Sequence, residues 1–457
     1  MNRSLGLSRT NATRHPASFG WSQTLACLYI VAAFGPYLTG GVRTEQVAIY
    51  TGCLLTVFIA VGVRRVVPME RMWFVCLLWL CLFLASITSW VGSGRVGNVD
   101  SVAVVASVDN LLLPLALIVS LLLVWRRPTP PIPGQGMLGA VLVVLLLGLS
   151  LNTMVALAQA VGVSPSWGDV FLPQPSGGST VASRAAAMGR YSGIFNQPVE
   201  AGLAYSLGVL ALIHLVSRHQ LRWLGASVVG VLIVIGGLLP VSKVFVLGGL
   251  PLAVLYLIWE TGAAGIRTSV RVVVVAGASV AVALLIWVVH GDQWRGAGRL
   301  GRLVVADSEH GDLLRFYTAG RFGVEGHVLS DGGSVLSSSP VLGFGLGHGL
   351  VVDNAYLEML ALAGVIGLII YSGVLIALLM LIVSRWRGSV GRFLVVVLLL
   401  IVGGGMGSPV LTMNRTGTLL WTVLVIGLLT EWRSESGETS AEAIEPRRSG
   451  SHQLDRC

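Results

Sequence analysis

The sequence predicts an all-α fold, a polytopic membrane protein of about 12 transmembrane helices with a large extracytoplasmic loop between the ninth and tenth spans. Three observations carry that expectation. Hydrophobic residues make up 54% of the 457-residue chain and charged residues 11%, with a mean hydropathy of +0.82, a membrane rather than a globular composition. Apolar runs of spanning length recur from Trp21 to Thr430. Arginines collect in every second connection between those runs, as they do in cytoplasmic loops.

In chain order, residues 1–20 form a cytoplasmic arm with Arg3, Arg9 and Arg14, and lead into Trp21–Thr39. That run is long enough to stay as a span, and no small-residue cleavage site of a secretion signal follows it. Val47–Val63 ends at Arg64, Arg65 and Arg71; Trp73–Val91 and Val104–Trp125 bring the chain to Arg126 and Arg127. Met137–Val161 runs outward and Ala201–Val216 returns to Arg218 and Arg222; Leu224–Leu239 and Val244–Trp259 lead to Arg267 and Arg271. Val272–Val289 is the ninth span. Ala355–Val383 returns to Arg385, Arg387 and Arg392, and Phe393–Met406 and Thr418–Thr430 complete the set. Residues 21–430 therefore read as one transmembrane domain with both termini cytoplasmic. Residues 431–457, rich in Ser, Glu and Arg without apolar periodicity, read as a disordered cytoplasmic tail.

On this topology the net charge of +9 is an orientation signal, and nothing in it calls for nucleic acid. Cys27, Cys53, Cys76 and Cys81 lie in apolar runs and Cys457 ends the chain, so no disulfide framework is implied.

Two extracytoplasmic loops are long, 162–200 and 290–352, and long loops in compact proteins are usually functional or disordered. Within the second, Asp312–Leu329 sets Leu313, Phe316, Tyr317, Val324 and Val328 at spacings near three and four. This predicts an amphipathic helix at the interface, carrying Arg315 and Arg321.

Basic residues on the outward side run against the orientation bias, so each invites a specific reason. Arg190 lies in GRYSGIFNQP, where Gly189 and Gly193 allow tight turns and Pro198 can open a helix. Lys243, the only lysine, follows Pro240 and is either a snorkelling interfacial side chain or a fixed charge at the mouth of a cavity. Arg415 has the same two readings. Arg315 and Arg321 are either the solvated face of their helix or, with the other outward arginines, an anion site, because guanidinium forks match phosphate oxygens.

From Pro340 the chain reads PVLGFGLGHGLVVDNAYLEMLALAGVIGL, a glycine-rich loop feeding into an apolar run that carries no charge after Glu358. Asp353 and Asn354 stand where a helix cap is favoured; alternatively they act as acid or base toward a substrate hydroxyl. His348 is a second candidate proton acceptor. The glycines from Gly343 to Gly347 are weak as a nucleotide signal, since no strand and crossover helix surrounds them. Asp307, Glu309, His310 and Asp312 form the one cluster with metal-ligand chemistry, read as a solvated acidic loop in preference to a metal site.

Together these features resemble the bacterial O-antigen ligases and Wzy-type surface-polysaccharide polymerases. The resemblance covers roughly Leu138 to Gly404. Its markers are GRYSGIFNQP, Ser242-Lys243, an arginine-bearing helix in a large loop, and PVLGFGLG followed by DNAYLEMLALAGVIGL. It implies a metal-independent glycosyltransferase, with no cofactor, facing outward from the bacterial cytoplasmic (inner) membrane. Its partners would be an undecaprenyl-diphosphate-linked glycan donor, a glycan acceptor, and a chain-length regulator and flippase of the same pathway.

Carried onto this chain, Arg190 and Arg315 match diphosphate-binding arginines, with Arg321 as fallback. Lys243 stands where an arginine is common. Asp353 stands where ligases typically carry histidine before the asparagine, which favours a polymerase. Asp353, His348 and Asn354 are the expected catalytic group. The rivals are a ligase acting on another acceptor, a lipid-linked glycan flippase needing charged or broken helices near the midplane, and a metal-dependent transferase using Asp307, Glu309 and Asp312.

Overall fold

In the computed structural model, the described apolar stretches of the sequence become helices. Residues 21–38, 41–63, 70–93, 101–125, 136–163, 171, 180–263, 277, 296, 327–350 and 353–442 are described. The helices are α1 (Trp21–Ala33), α2 (Thr44–Val63), α3 (Glu70–Gly92), α4 (Ser101–Val124), α5 (Met137–Ala160), α6 (Val181–Ala187), α7 (Pro198–Ser217) and α8 (Trp223–Leu238). A π-helical turn, Val244–Gly249, runs into α9 (Leu250–Ala263); then come α10 (His327–Ser338), α11 (Ala355–Val383), α12 (Ser389–Gly405) and α13 (Asn414–Glu442).

Helices occupy eleven of the twelve apolar runs; the ninth, Val272–Val289, lies outside the described residues except for Gly277, as does most of the loop that follows it. Among the described residues, seven helices are long and apolar enough to cross a membrane, the architecture of a multi-pass membrane protein, while α1, α8 and α12 are apolar but shorter. Among the described residues there is no strand, and the one β-bridge, Tyr37 with Arg43, closes the turn between α1 and α2.

Burial singles out α7 as the centre. Of its spanning window, 94% is buried, against α5, α8, α9, α12 and α13. A helix apolar on every face needs such surroundings. The first half of α13 is buried too, from Leu419 to Leu429, with Trp421 edge-on to Trp79 of α3 at 5.3 Å. Past Thr430 the helix runs on to Glu442, into the stretch read as a disordered tail. Extending an existing helix avoids the nucleation penalty, which local composition does not reveal.

The span Ala355–Val383 reads as one uninterrupted helix but is broken at Ala363 and Gly364, where φ is −144° and +62°. A side chain at Gly364 would meet the backbone of Val341 and Leu342, so only glycine fits this left-handed position. The 340–345 loop satisfies the backbone groups freed by the break. Phe344 and Gly345 amides donate to the Ala361 carbonyl at 2.7 and 3.3 Å, and Val365 donates to the Pro340 carbonyl at 2.9 Å. Backbone away from helical geometry is tolerated within a bilayer only when protein satisfies it in this way.

The amphipathic helix expected at Asp312–Leu329 is described only in its last three residues, His327–Leu329, which are helical. Its first fifteen residues lie outside the described set, and the described helix, α10, starts at His327 and packs on α11 through Val335.

Candidate functional site

The described residues of the connections after α1, α6, α8, α10 and α12, namely 34–38, 41–43, 189–197, 239–243, 339–350, 353–354 and 406–413, gather at one end of the bundle. Every described candidate residue sits there.

The 189–197 loop is shaped by α5. Asn152 accepts from the Ile194 amide at 2.7 Å and donates to the Ser192 carbonyl at 3.3 Å, while Gln159 makes two 3.1 Å bonds with the backbone of Gly193. Gly189 and Gly193 both take left-handed φ, as expected of tight turns. Arg190 then reaches the turn after α8: its Nε donates to the Pro240 carbonyl at 3.0 Å and its Nη2 to the Val241 carbonyl at 3.3 Å. Val241 has φ +50°, unusual for a β-branched residue and costing on the order of 1–3 kcal/mol. Lys243, half-buried, stands two residues further, at the start of the π-helical turn. Two of the four cations assigned to diphosphate binding thus share one turn. The other two, Arg315 and Arg321, lie outside the described residues.

At the head of α11, Asn354 is 4% exposed, and its Oδ1 accepts from the Tyr356 and Leu357 amides at 2.9 and 3.1 Å. Its Nδ2 donates to the Met406 carbonyl at 3.0 Å. Its hydrogen bonds are those of a helix cap and a tether. Asp353, one residue before the cap, is exposed. His348 rides on the glycine loop next to Gly347, whose amide donates to Ser107 of α4 at 3.2 Å, and its Nδ1 accepts from the Leu350 amide at 3.1 Å.

The 406–416 segment joins these parts. Besides the Met406 tether, Thr412 donates its hydroxyl to Glu358 Oε2 at 2.5 Å. In the other direction, Arg415 Nη1 donates to the Ile194 carbonyl at 2.9 Å and Thr416 to the Glu200 carbonyl at 3.0 Å. One segment therefore holds the Arg190 loop on one side and the head of α11 on the other.

Sequence reasoning missed the extent of buried charge beside it. Arg415 is 2% exposed, its Nη2 donates to the Phe171 carbonyl at 3.0 Å, and its guanidinium lies over the Tyr37 ring at 5.3 Å. Arg43, 5% exposed, pairs with Asp109 through Nη2 and with Glu45 at 3.3 Å; Asp109 also accepts from Gln46 at 2.6 Å and from Tyr50 at 2.8 Å. Neither arginine snorkels: both are buried, Arg415 on backbone carbonyls and Arg43 against two carboxylates, though its Nη1 faces Glu45 without a hydrogen bond. A cavity of about 10 Å³, room for one water, lies between Arg43, Asn110, Thr412 and Thr418.

The acidic cluster Asp307, Glu309, His310 and Asp312 lies outside the described residues, among which no group of three or more His, Cys, Asp or Glu is arranged to hold a metal. A scan against protein-family models finds no matching family, and a search of curated proteins finds no match.

Proposed function

We propose that the chain is a membrane glycosyltransferase that polymerises polyprenyl-diphosphate-linked repeat units into a surface polysaccharide at the outer face of the bacterial cytoplasmic membrane. The observation that carries this reading is the joining of Arg190, the Lys243 turn and the head of α11 through the single 406–416 segment. Cations at one end of an apolar bundle and hydroxyl-directed acid–base groups beside them are the two requirements of glycosyl transfer from a lipid diphosphate.

In the proposed reaction the acceptor oxygen attacks the donor's anomeric carbon and the lipid diphosphate departs with the bonding electrons. Negative charge grows on that leaving group, and preorganised Arg190 and Lys243, joined by Arg315 or Arg321 from the large loop, stabilise it without a metal. The loop-bearing end is taken as outward because the described Arg218, Arg222, Arg385, Arg387 and Arg392 lie in connections at the other end. Asp353 in place of histidine favours polymerase over ligase.

The flippase reading draws on the break in α11. Its freed amides and carbonyls are already paired with the 340–345 loop, so the break leaves little backbone for a translocated substrate. The decisive experiment is deletion of the gene followed by inspection of lipid-linked glycans. Single repeat units accumulating on the outer side support the polymerase; full-length lipid-linked chains make it a ligase; units trapped on the cytoplasmic side make it a flippase. In a complemented strain, Arg190→Ala and Arg315→Ala should each lower polymer formation by about 10²–10³, as loss of one transition-state donor does, while the protein still inserts. Normal ladders from either variant remove the diphosphate assignment.

A further inference from the structure

We infer that Glu358 is the carboxylate that takes the proton from the acceptor hydroxyl, and that the Thr412 hydroxyl stands where the acceptor hydroxyl would bind. The inference rests on the glycosyl-transfer reading and deepens it.

Neither proton acceptor named from the sequence is well placed. The Leu350 amide donates to His348 Nδ1, so the neutral ring carries its proton on Nε2 and has no lone pair left to accept one. Asp353 precedes the cap and is exposed, so its carboxylate works in a high-dielectric, watery surrounding.

Glu358 differs on each point. It follows Asn354 by four residues, which puts the two on one face of α11, the face turned to the 406–413 segment. Half-buried, it retains some exposed surface while most of its surroundings are protein. One carboxylate oxygen already accepts a hydroxyl, with Thr412 Oγ1 at 2.5 Å from Oε2. That is the O–H···O⁻ geometry a general base needs toward a sugar hydroxyl.

Thr412 has a second partner ready. Its Oγ1 also lies 3.1 Å from the Pro409 carbonyl. When a sugar hydroxyl takes the place at Glu358, Thr412 can turn to Pro409 and no buried hydroxyl is left unpaired, so exchanging one hydroxyl for the other is nearly neutral. The cycle balances. The acceptor O–H proton moves to Glu358 Oε2 as the new C–O bond forms; the C–O bond to the diphosphate breaks and its electron pair leaves with the lipid diphosphate; Glu358 then loses its proton to water.

The test uses full-length protein in membranes of the deletion strain, with lipid-linked repeat units extracted from that strain as probe. Glu358→Gln keeps an acceptor oxygen for Thr412 and should lower turnover by about 100-fold or more, the usual contribution of a general base. Asp353→Asn should lose less. Parental turnover falls toward acid as the base protonates, and the residual rate of E358Q should lack that limb. If E358Q fails to accumulate, Glu358→Asp answers the same question: the displaced carboxylate should slow turnover at least tenfold and keep the acid limb. Parental rates in either variant, or a larger loss in Asp353→Asn than in E358Q, overturn the assignment. A deletion strain with unchanged glycans sinks the glycosyl-transfer reading; accumulated single repeat units together with a fully active E358Q sink only the role of Glu358.

Discussion

Replacing Arg43 with methionine should destabilise the protein more than any substitution at an exposed arginine. Arg43 is buried with two carboxylates against it, Asp109 and Glu45, and both lose their counter-charge when it goes. Breaking a buried pair by removing one partner typically costs about 3–5 kcal/mol, because the remaining charge is left desolvated. Asp109 keeps its bonds from Gln46 and Tyr50, which softens its loss, whereas Glu45 is fully buried and has no other ion pair among the described residues. We therefore take the lower half of that range. At roughly 2 °C per kcal/mol for a large domain, the midpoint of thermal unfolding in detergent should fall by about 6–8 °C. A double-mutant cycle isolates the cause: Arg43→Met combined with Glu45→Leu should recover part of the loss, since an apolar pair of similar volume replaces a buried ion pair at little cost. A midpoint within a degree of the parent for Arg43→Met, or a double variant whose loss equals the sum of the singles, would refute the buried-pair account.

Two further substitutions test the elements that position the site. Asn354→Ala removes the cap of α11 and its tether to Met406; a cap alone is worth about 1 kcal/mol, so the thermal midpoint should drop by a few degrees and amide exchange at Tyr356 and Leu357 should accelerate. Gly364→Ala forces a side chain into a left-handed position against the Val341 backbone and should cost more than the 1–2 kcal/mol of the conformation itself, read as poor accumulation or a lowered midpoint; an unaffected midpoint would mean that the break is not obligatory.

What the sequence disclosed follows physical range. Asn354 as a cap and Gly189 and Gly193 as turn residues were legible because that chemistry is settled within a few residues. Arg190 and Lys243 were singled out separately; that they meet at one turn was not, since it depends on α5 fixing the 189–197 loop. The Arg43–Asp109 pair joins residues 66 apart and the Glu358–Thr412 pair residues 54 apart, distances over which no periodicity reports. Glu358 left one local trace, as the last charge before the apolar run. The break at Gly364 was hidden because Ala-Gly in an apolar run reads equally well as a small-residue helix contact. Helix α10 escaped notice for the converse reason: HVLSDGGSVLSS contains adjacent glycines and serines of poor helix propensity, and it is helical because it packs on α11.

The pairing between the 340–345 loop and the break in α11 bears on how the protein is made. The loop's partners lie only roughly twenty residues further along the chain, so closing this contact carries a small entropic penalty and needs no distant helix. A polypeptide emerging from its N-terminus presents the loop before the span that uses it, and α11 can therefore enter the membrane already bent, its exposed amides and carbonyls satisfied by the segment just ahead of it. The irregular helix at the heart of the candidate site is thus a local folding unit, whereas the ties from Met406, Thr412 and Arg415 must wait until the last two helices arrive. Assembly of the site should be the final event in biogenesis, and a ribosome stalled after α11 should yield a bundle with the bend formed and the site still open.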